Sequence, residues 1–422
     1  MTAPVPAVGA PASSPAPTVG APASSPAPTV GGPASSPAPT VGGPASSPAP
    51  TVGGPAASPG PTVGVEEEFL LLDPVTGHNV PVAEQVLGAL PPEARRQSSL
   101  EFRRSMVELV TPVCTGLDEV RDSLIALRRA ATAAAERSGA RLVPVGATPV
   151  AEPQRTVADE PRYRAIVEHY GPIAQDAAVC GCHVHVGVAD RELAVQVCNH
   201  LRVWLPTLEA LAGNSPFYAG ADTGYASWRC TQLERWPSLG PTPYFASAED
   251  YDRTVQALIV SEVILDPGMV YWYARLSPRY PTVEVRVADA CPTVADAVLL
   301  AGLVRALVAT AIDRVGDGVA APPIQDCLLT AAHWHAAHDG LSGTLIDPRS
   351  GAARPAWDLV DDLVTTVTPA LRRHGDLLRV RAGLVRLRRQ GTGAARQRYL
   401  FARAASLPAL LSELAEGSSA AG

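Results

Sequence analysis

The chain has 422 residues, 34 of them basic and 41 acidic, a formal charge of -7, and 46% hydrophobic residues. That is enough apolar material for a large packed core, and the mild acidity leaves no electrostatic footprint for nucleic acid or an anionic membrane. Lysine is absent, which excludes Schiff-base chemistry and the phosphate-gripping lysine of a P-loop, so any nucleotide must be held by arginine, metal ions and backbone amides. Seven cysteines, an odd number at irregular spacing, argue against a disulfide framework. No run of about 18 apolar residues is free of charge, so no transmembrane helix is predicted. The opening "MTAPVPAVGAPASSP" has neither the basic nor the apolar region of a secretory signal, and the expected location is the cytoplasm.

Residues 1–61 repeat an eleven-residue unit, with Thr-Val-Gly recurring at Thr18, Thr29, Thr40, Thr51 and Thr62. Prolines this frequent forbid helix and sheet, so a disordered, extended tail rich in Pro, Ala and Ser is predicted, acting as a passive spacer. One domain over 62–412 follows, then a second disordered tail over 413–422. Within the domain "VEEEFLLLD", "MVELVTP", "RLVPVGATP", "CGCHVHVGV" and "TVEVRVAD" read as strands. Helices are predicted over about 118–138, 191–212 and 294–315, the last opening on a near capping box from Thr293 to Asp296. The C-terminal third reads as mostly helical and rich in arginine. Strands and helices without a strict βαβ rhythm predict an α+β fold on a largely antiparallel sheet.

Glutamate is disfavoured in strands, and like charges repel, so the run Glu66-Glu67-Glu68 needs a reason. Successive strand side chains point to opposite faces, so Glu66 and Glu68 share one face, about 7 Å apart, while Glu67 joins Val65 and Phe69 on the other. By the same rule His183 and His185 lie on one face of their strand, opposite Cys180, Cys182, Val184 and Val186. Glu284 and Arg286 lie opposite Val283, Val285 and Val287, and Glu108 lies opposite Val107 and Leu109. One charged strand face is ordinary, because antiparallel sheets often face solvent. Four of them suggest a single site on a concave sheet, and its oxygen-rich set favours Mg2+ or Mn2+. A Cys/His zinc site would need ligands from both faces of one strand, so the cysteines read as packing residues. Glu67 is expected to be an ion-pair or edge residue.

These motifs carry a resemblance. "VGVEEEFLLLD", "CGCHVHVG" and "VEVRVAD" resemble, in the same order, the Gly-x-Glu-x-Glu-Phe, Gly-x-His-x-His and Glu-x-Arg strands of the glutamine synthetase superfamily. With "GNSPFYAGADTGYASWR", "RWPSLGPTPYF" and "RQGTGAARQR", roughly residues 62–400 are similar to the type 2 glutamate-cysteine ligases, a family of carboxylate-amine ligases. The resemblance implies a glutamine synthetase-like domain with a curved sheet and flanking helices, using ATP with Mg2+ or Mn2+. It implies that L-glutamate is joined to L-cysteine through an acyl phosphate, giving γ-glutamylcysteine, ADP and phosphate. Glu66, Glu68, Glu108, His183 and Glu284 would bind metal, and His185 would lie near the nucleotide. Arg286 would contact the transferring phosphate, and Arg229 would hold a substrate carboxylate.

A homodimer is a further expectation from the resemblance. The glycines around Asp222 suit a loop closing over substrate. His333, His335 and His338 stand where relatives are expected to carry arginine in part, and they read as partially exposed histidines rather than ligands. Arg396 and Arg398 could equally form a surface basic cluster. Three other readings stay open: the same chemistry with another amine or acceptor, a metal-dependent amide hydrolase working without ATP, and a non-catalytic binding protein tethered by its tail.

Overall fold

A computed structural model describes residues 60–404 and 406–418. The predicted N-terminal tail, except for Gly60 and Pro61, lies outside the described residues. The main sheet holds β1 (Val63–Leu72), β2 (Ser98–Leu100), β3 (Met106–Val110), β4 (Arg141–Val143) and β5 (Gly181–Gly187). Two further strands complete it after a small hairpin of β6 (Phe217–Tyr218) and β7 (Ala221–Asp222): β8 (Ala274–Leu276) and β9 (Thr282–Asp289). The order is β2-β3-β1-β5-β9-β8, with β4 pairing the end of β1, and every pairing is antiparallel. A second hairpin, β10 (Thr344–Asp347) with β11 (Ala352–Pro355), stands apart from the sheet. The α+β expectation holds.

The apolar face follows from alternation. Val65, Val184, Val186, Val283, Val285 and Val287 are all buried in one cluster with the helix Val294–Gly316. Burying each such valine is worth about 1.5–3 kcal/mol. Thr293 caps that helix, its hydroxyl accepting from the Asp296 N–H at 3.2 Å and donating to the Asp296 carboxylate at 2.7 Å. Val294–Gly316 has the length and mean hydropathy, 1.9, of a membrane span, yet 83% of its most apolar window is buried. It is the central core helix, and its one buried cation, Arg305, is satisfied by Asp376, Pro61 and Thr115.

Three predicted boundaries are corrected. The helix expected over 191–212 is two, Arg191–Leu201 and Leu205–Ala212, because Pro206 lacks an N–H and its ring excludes the preceding helical turn. The strand from Arg141 ends at Val143, ahead of Pro144. The tail placed at 413–422 begins too early: the helix Leu407–Ser418 buries Leu407, Leu410, Leu411 and Leu414 against β1 and β4 residues, an apolar stripe that continues past 412. The arginine-rich C-terminal helices Ala356–Arg373, Leu377–Gln390 and Gly393–Ala404 complete the domain.

Candidate active site

The polar face of the sheet brings the predicted set together. Register pairs Glu68 with Glu108, Glu66 with His183, and His185 with Glu284, so the four strands deliver their polar side chains as one row. A bulge shifts the register between Cys182 and Val184, setting two residues of β9, Arg286 and Val287, opposite the single His183. Arg286 Nη1 thereby comes 3.3 Å from His183 Nδ1 and pairs with Glu284. His183 Nδ1 is 3.4 Å from Glu66, and His185 Nε2 is 3.1 Å from Glu66 and 4.0 Å from Glu284. Thr282 fixes the His185 ring by a 2.9 Å hydrogen bond at Nδ1.

Three groups each bring their ligand atoms within 4.8 Å of one another: Glu66, Glu108 and His183; Glu66, His185 and Glu284; and Glu68, Glu101 and Glu108. The donor set fits hard divalent cations. So does an orphaned atom: His183 Nε2 is buried with no hydrogen-bond partner, the Glu68 carboxylate lying 3.9 Å away. Crowding sets the electrostatics. Burial, with Glu66 and Glu68 nearby, pushes Glu108 up to about 7 despite its Ser99 hydrogen bond. Burial, Glu68 and Glu108 push Glu101 well above the carboxylate range. For Glu66 burial acts upward as well, but hydrogen bonds and charges from His183 and His185 hold it far below that range. Burial of Glu284 is likewise outweighed, by Arg286 and then Arg275.

Sequence reasoning missed two of these residues. Glu101 follows the three-residue strand β2 in an irregular stretch where no alternation marks a face. Arg275, on the equally short β8, forks onto Glu284 at 2.9 and 3.2 Å. These groups floor a cavity of about 1770 Å3, which Arg229 and Tyr273 also line. Arg229 is buried on the short helix Trp228–Leu233, whose capping residue Ser227 is fixed by Asp289, which accepts from the Asn214 N–H, the Ser215 hydroxyl and the Ser227 hydroxyl at 2.7–2.8 Å.

Glu67 is not part of the cluster. It is fully buried and ion-paired to Arg128 on the helix Leu117–Arg137, at 2.9 and 2.5 Å. Cys182 and Cys180 lie in apolar clusters. His333 departs from the expected partial exposure: it is 3% exposed, paired with Glu209 and packed on Tyr273 at 4.2 Å, because its helix turns that face into the core. His335 and His338 both pair with Asp339 and are partly exposed, as expected. The Asp222 hairpin is fastened to Arg398 at 2.7 and 2.8 Å and is not among the residues lining the cavity. Arg396 pairs with Asp296 rather than forming a basic surface cluster. The "GNSP" and "RQGTG" motifs meet in packing: a Cβ on Gly393 would fall 2.2 Å from Asn214, and Gln397 donates to Asn214.

Residues 62–419 match the family described as glutamate-cysteine ligase family 2. A protein of Salinispora arenicola carrying the name glutamate-cysteine ligase 2 is 64% identical over 83% of this chain and 93% of its own length. One from Saccharopolyspora erythraea, carrying the name glutamate-cysteine ligase 2-1, is 50% identical over 80% of this chain and 90% of its own. In fold the chain is similar to the glutamate-cysteine ligase of Francisella tularensis, solved with AMP, at a TM-score of 0.65 and 14% identity over 85% of this chain and 89% of that one. It is also similar to a bifunctional glutathione synthetase of Pasteurella multocida, at a TM-score of 0.60 and 17% identity over 85% of this chain and 52% of that one. The glutamine synthetase-like fold is thus shared with solved ligases, and by the extent of its family match the chain belongs to glutamate-cysteine ligase family 2, a family of ATP-dependent ligases.

Proposed function

We propose that this chain joins the side-chain carboxylate of L-glutamate to the amine of L-cysteine, using ATP with Mg2+ or Mn2+, through an acyl phosphate. The observation that carries the reading is the three interlocked carboxylate and imidazole groups beside Arg286 on the cavity floor. Carboxylate is a poor electrophile, and its attack on a phosphate brings two anions together, so the site must neutralise charge before it can align them. Bound divalent ions would supply that neutralisation and polarise the phosphate oxygens. Glu66 and Glu108 each belong to two groups, so they would hold neighbouring ions, with His183, Glu68, Glu101, His185 and Glu284 completing the sets. Arg286, kept charged by Glu284, would donate to the transferring phosphate. His185, edge-on to Tyr280 at 6.0 Å, would border the nucleotide. Arg229 would hold a carboxylate of the amino-acid substrate.

The test is metal-dependent ADP release by Glu66→Gln and Glu284→Gln. Each should lose turnover by about 100-fold or more while folding normally. Turnover at the wild-type level in both would refute the assignment.

A further inference from the structure

The helix Trp228–Leu233 carries a feature that the metal groups do not use. Arg229 and Gln232, one turn apart on the same face, both line the cavity. Gln232 is only 5% exposed, and neither its amide oxygen nor its amide nitrogen has a hydrogen-bond partner. That holds whichever way the amide is oriented, since both ends are unsatisfied. A buried primary amide with no partner destabilises the free protein, so it persists where a ligand completes it. Arg229 has the same deficit. Its Nε is buried without a partner, its Nη2 has only a 3.4 Å contact to the Arg286 carbonyl, and it makes no ion pair among the described residues.

The chemistry required at this spot is therefore an anion for the guanidinium, plus both an acceptor and a donor for the amide. A phosphate or a simple carboxylate leaves the amide oxygen unpartnered. The head of an α-amino acid supplies all three. We infer that Gln232, with Arg229, binds the α-carboxylate and α-ammonium of the amino-acid substrate, the amide NH2 donating to the carboxylate and the amide oxygen accepting from the ammonium. Position supports this. A Cβ on Gly181 would fall 2.5 Å from Arg229 Nη2 and 3.0 Å from His183 Nε2, so the missing side chain at Gly181 is what lets the guanidinium lie beside the metal groups. A short amino acid anchored here extends its side-chain carboxylate toward those groups.

This inference rests on the ligase reading, and the test separates the two. Binding of L-glutamate, glutarate and 4-aminobutanoate is measured calorimetrically with Mg2+ and a non-hydrolysable ATP analogue present, on the wild type and on Gln232→Leu. The wild type is expected to prefer L-glutamate over glutarate, which lacks the ammonium, and over 4-aminobutanoate, which lacks the α-carboxylate. Gln232→Leu should weaken L-glutamate by about 10- to 100-fold and erase the preference over glutarate, with nucleotide affinity unchanged. Its ligand-free melting temperature should not fall, because an unsatisfied amide has been removed. Gln232→Glu, which keeps the shape and repels the carboxylate, should lose the same affinity and guards against a folding failure of the leucine variant.

Unchanged L-glutamate binding with preference retained in both variants overturns the inference. If the wild type prefers another amino acid, and both variants lose it, the inference stands and the glutamate reading falls. If no α-amino acid binds, the inference falls, while Mg2+-dependent ADP release with another carboxylate would leave the ligase chemistry standing.

Discussion

The two faces of β1 hold the same residue in different states. Glu67 points into the core and is met by both ends of the Arg128 guanidinium, which in turn donates to the Cys291 and Ser418 carbonyls. Every hydrogen-bonding position there is filled, so the pair ties β1, the helix Leu117–Arg137 and the end of the helix Leu407–Ser418 together. One residue to either side, Glu66 and Glu68 face Glu108, Glu101 and two imidazoles, with too few cations to match them. A structural carboxylate is satisfied within the protein, whereas a functional one is left short of partners that a ligand brings.

Four predictions press on that difference. The largest effect belongs to the buried pair: Glu67→Ala should cost about 3–5 kcal/mol by chemical denaturation, because Arg128 is left charged and unpaired. Replacing both residues with methionine should cost much less. If Glu67→Ala were no worse than the double variant, the pair would not be the tie described. Next, Glu108→Gln should reduce Mg2+-dependent ADP release by about 100-fold or more yet leave the metal-free melting temperature at about pH 8 level or higher, since burial, Glu66 and Glu68 disfavour the Glu108 anion. The opposite pattern would make Glu108 structural.

The third prediction concerns pH. The Glu108 pKa, about 7 in the folded metal-free protein, is raised above the ordinary carboxylate value. Its stabilising contribution is therefore complete below that ordinary value and is lost as pH rises through about 7. A divalent cation must displace the same proton, so Mg2+ binding should strengthen as pH rises from about 6 to about 8 and should release more protons at the lower pH. Calorimetry in buffers of different ionisation enthalpy reads that release, and Glu108→Gln should reduce it. The smallest effect is expected at Arg398, whose pair with Asp222 is partly exposed: Arg398→Ala should cost less than about 1 kcal/mol and leave turnover unchanged. A large loss of turnover there would restore the hairpin to the active site.

What the sequence made legible was whatever alternation encodes. Glu66, Glu68, His183, His185, Glu284 and Arg286 lie on strands of seven to ten residues, long enough for the period of two to name a face. Glu108 sits on a five-residue strand with clear apolar flanks. Glu101 and Arg275 sit beside or within three-residue strands, where no period can be read. Arg128 could not be matched to Glu67 because the two are 61 positions apart and a helix's long-range partner leaves no local pattern. The burial of His333 was hidden for the same reason, since its partner Glu209 lies on another helix. The break before Leu205 was readable, because Pro206 marks it.

The central claim is that the crowded face of β1 couples ATP cleavage to amide formation. The most direct measurement follows ADP and peptide product together, the latter by mass spectrometry, in purified protein given ATP, Mg2+, L-glutamate and L-cysteine. One ADP for each γ-glutamylcysteine, with both dependent on Mg2+, is the predicted result. Amide formed without ADP, or ADP released with no amide from any amine supplied, would contradict it.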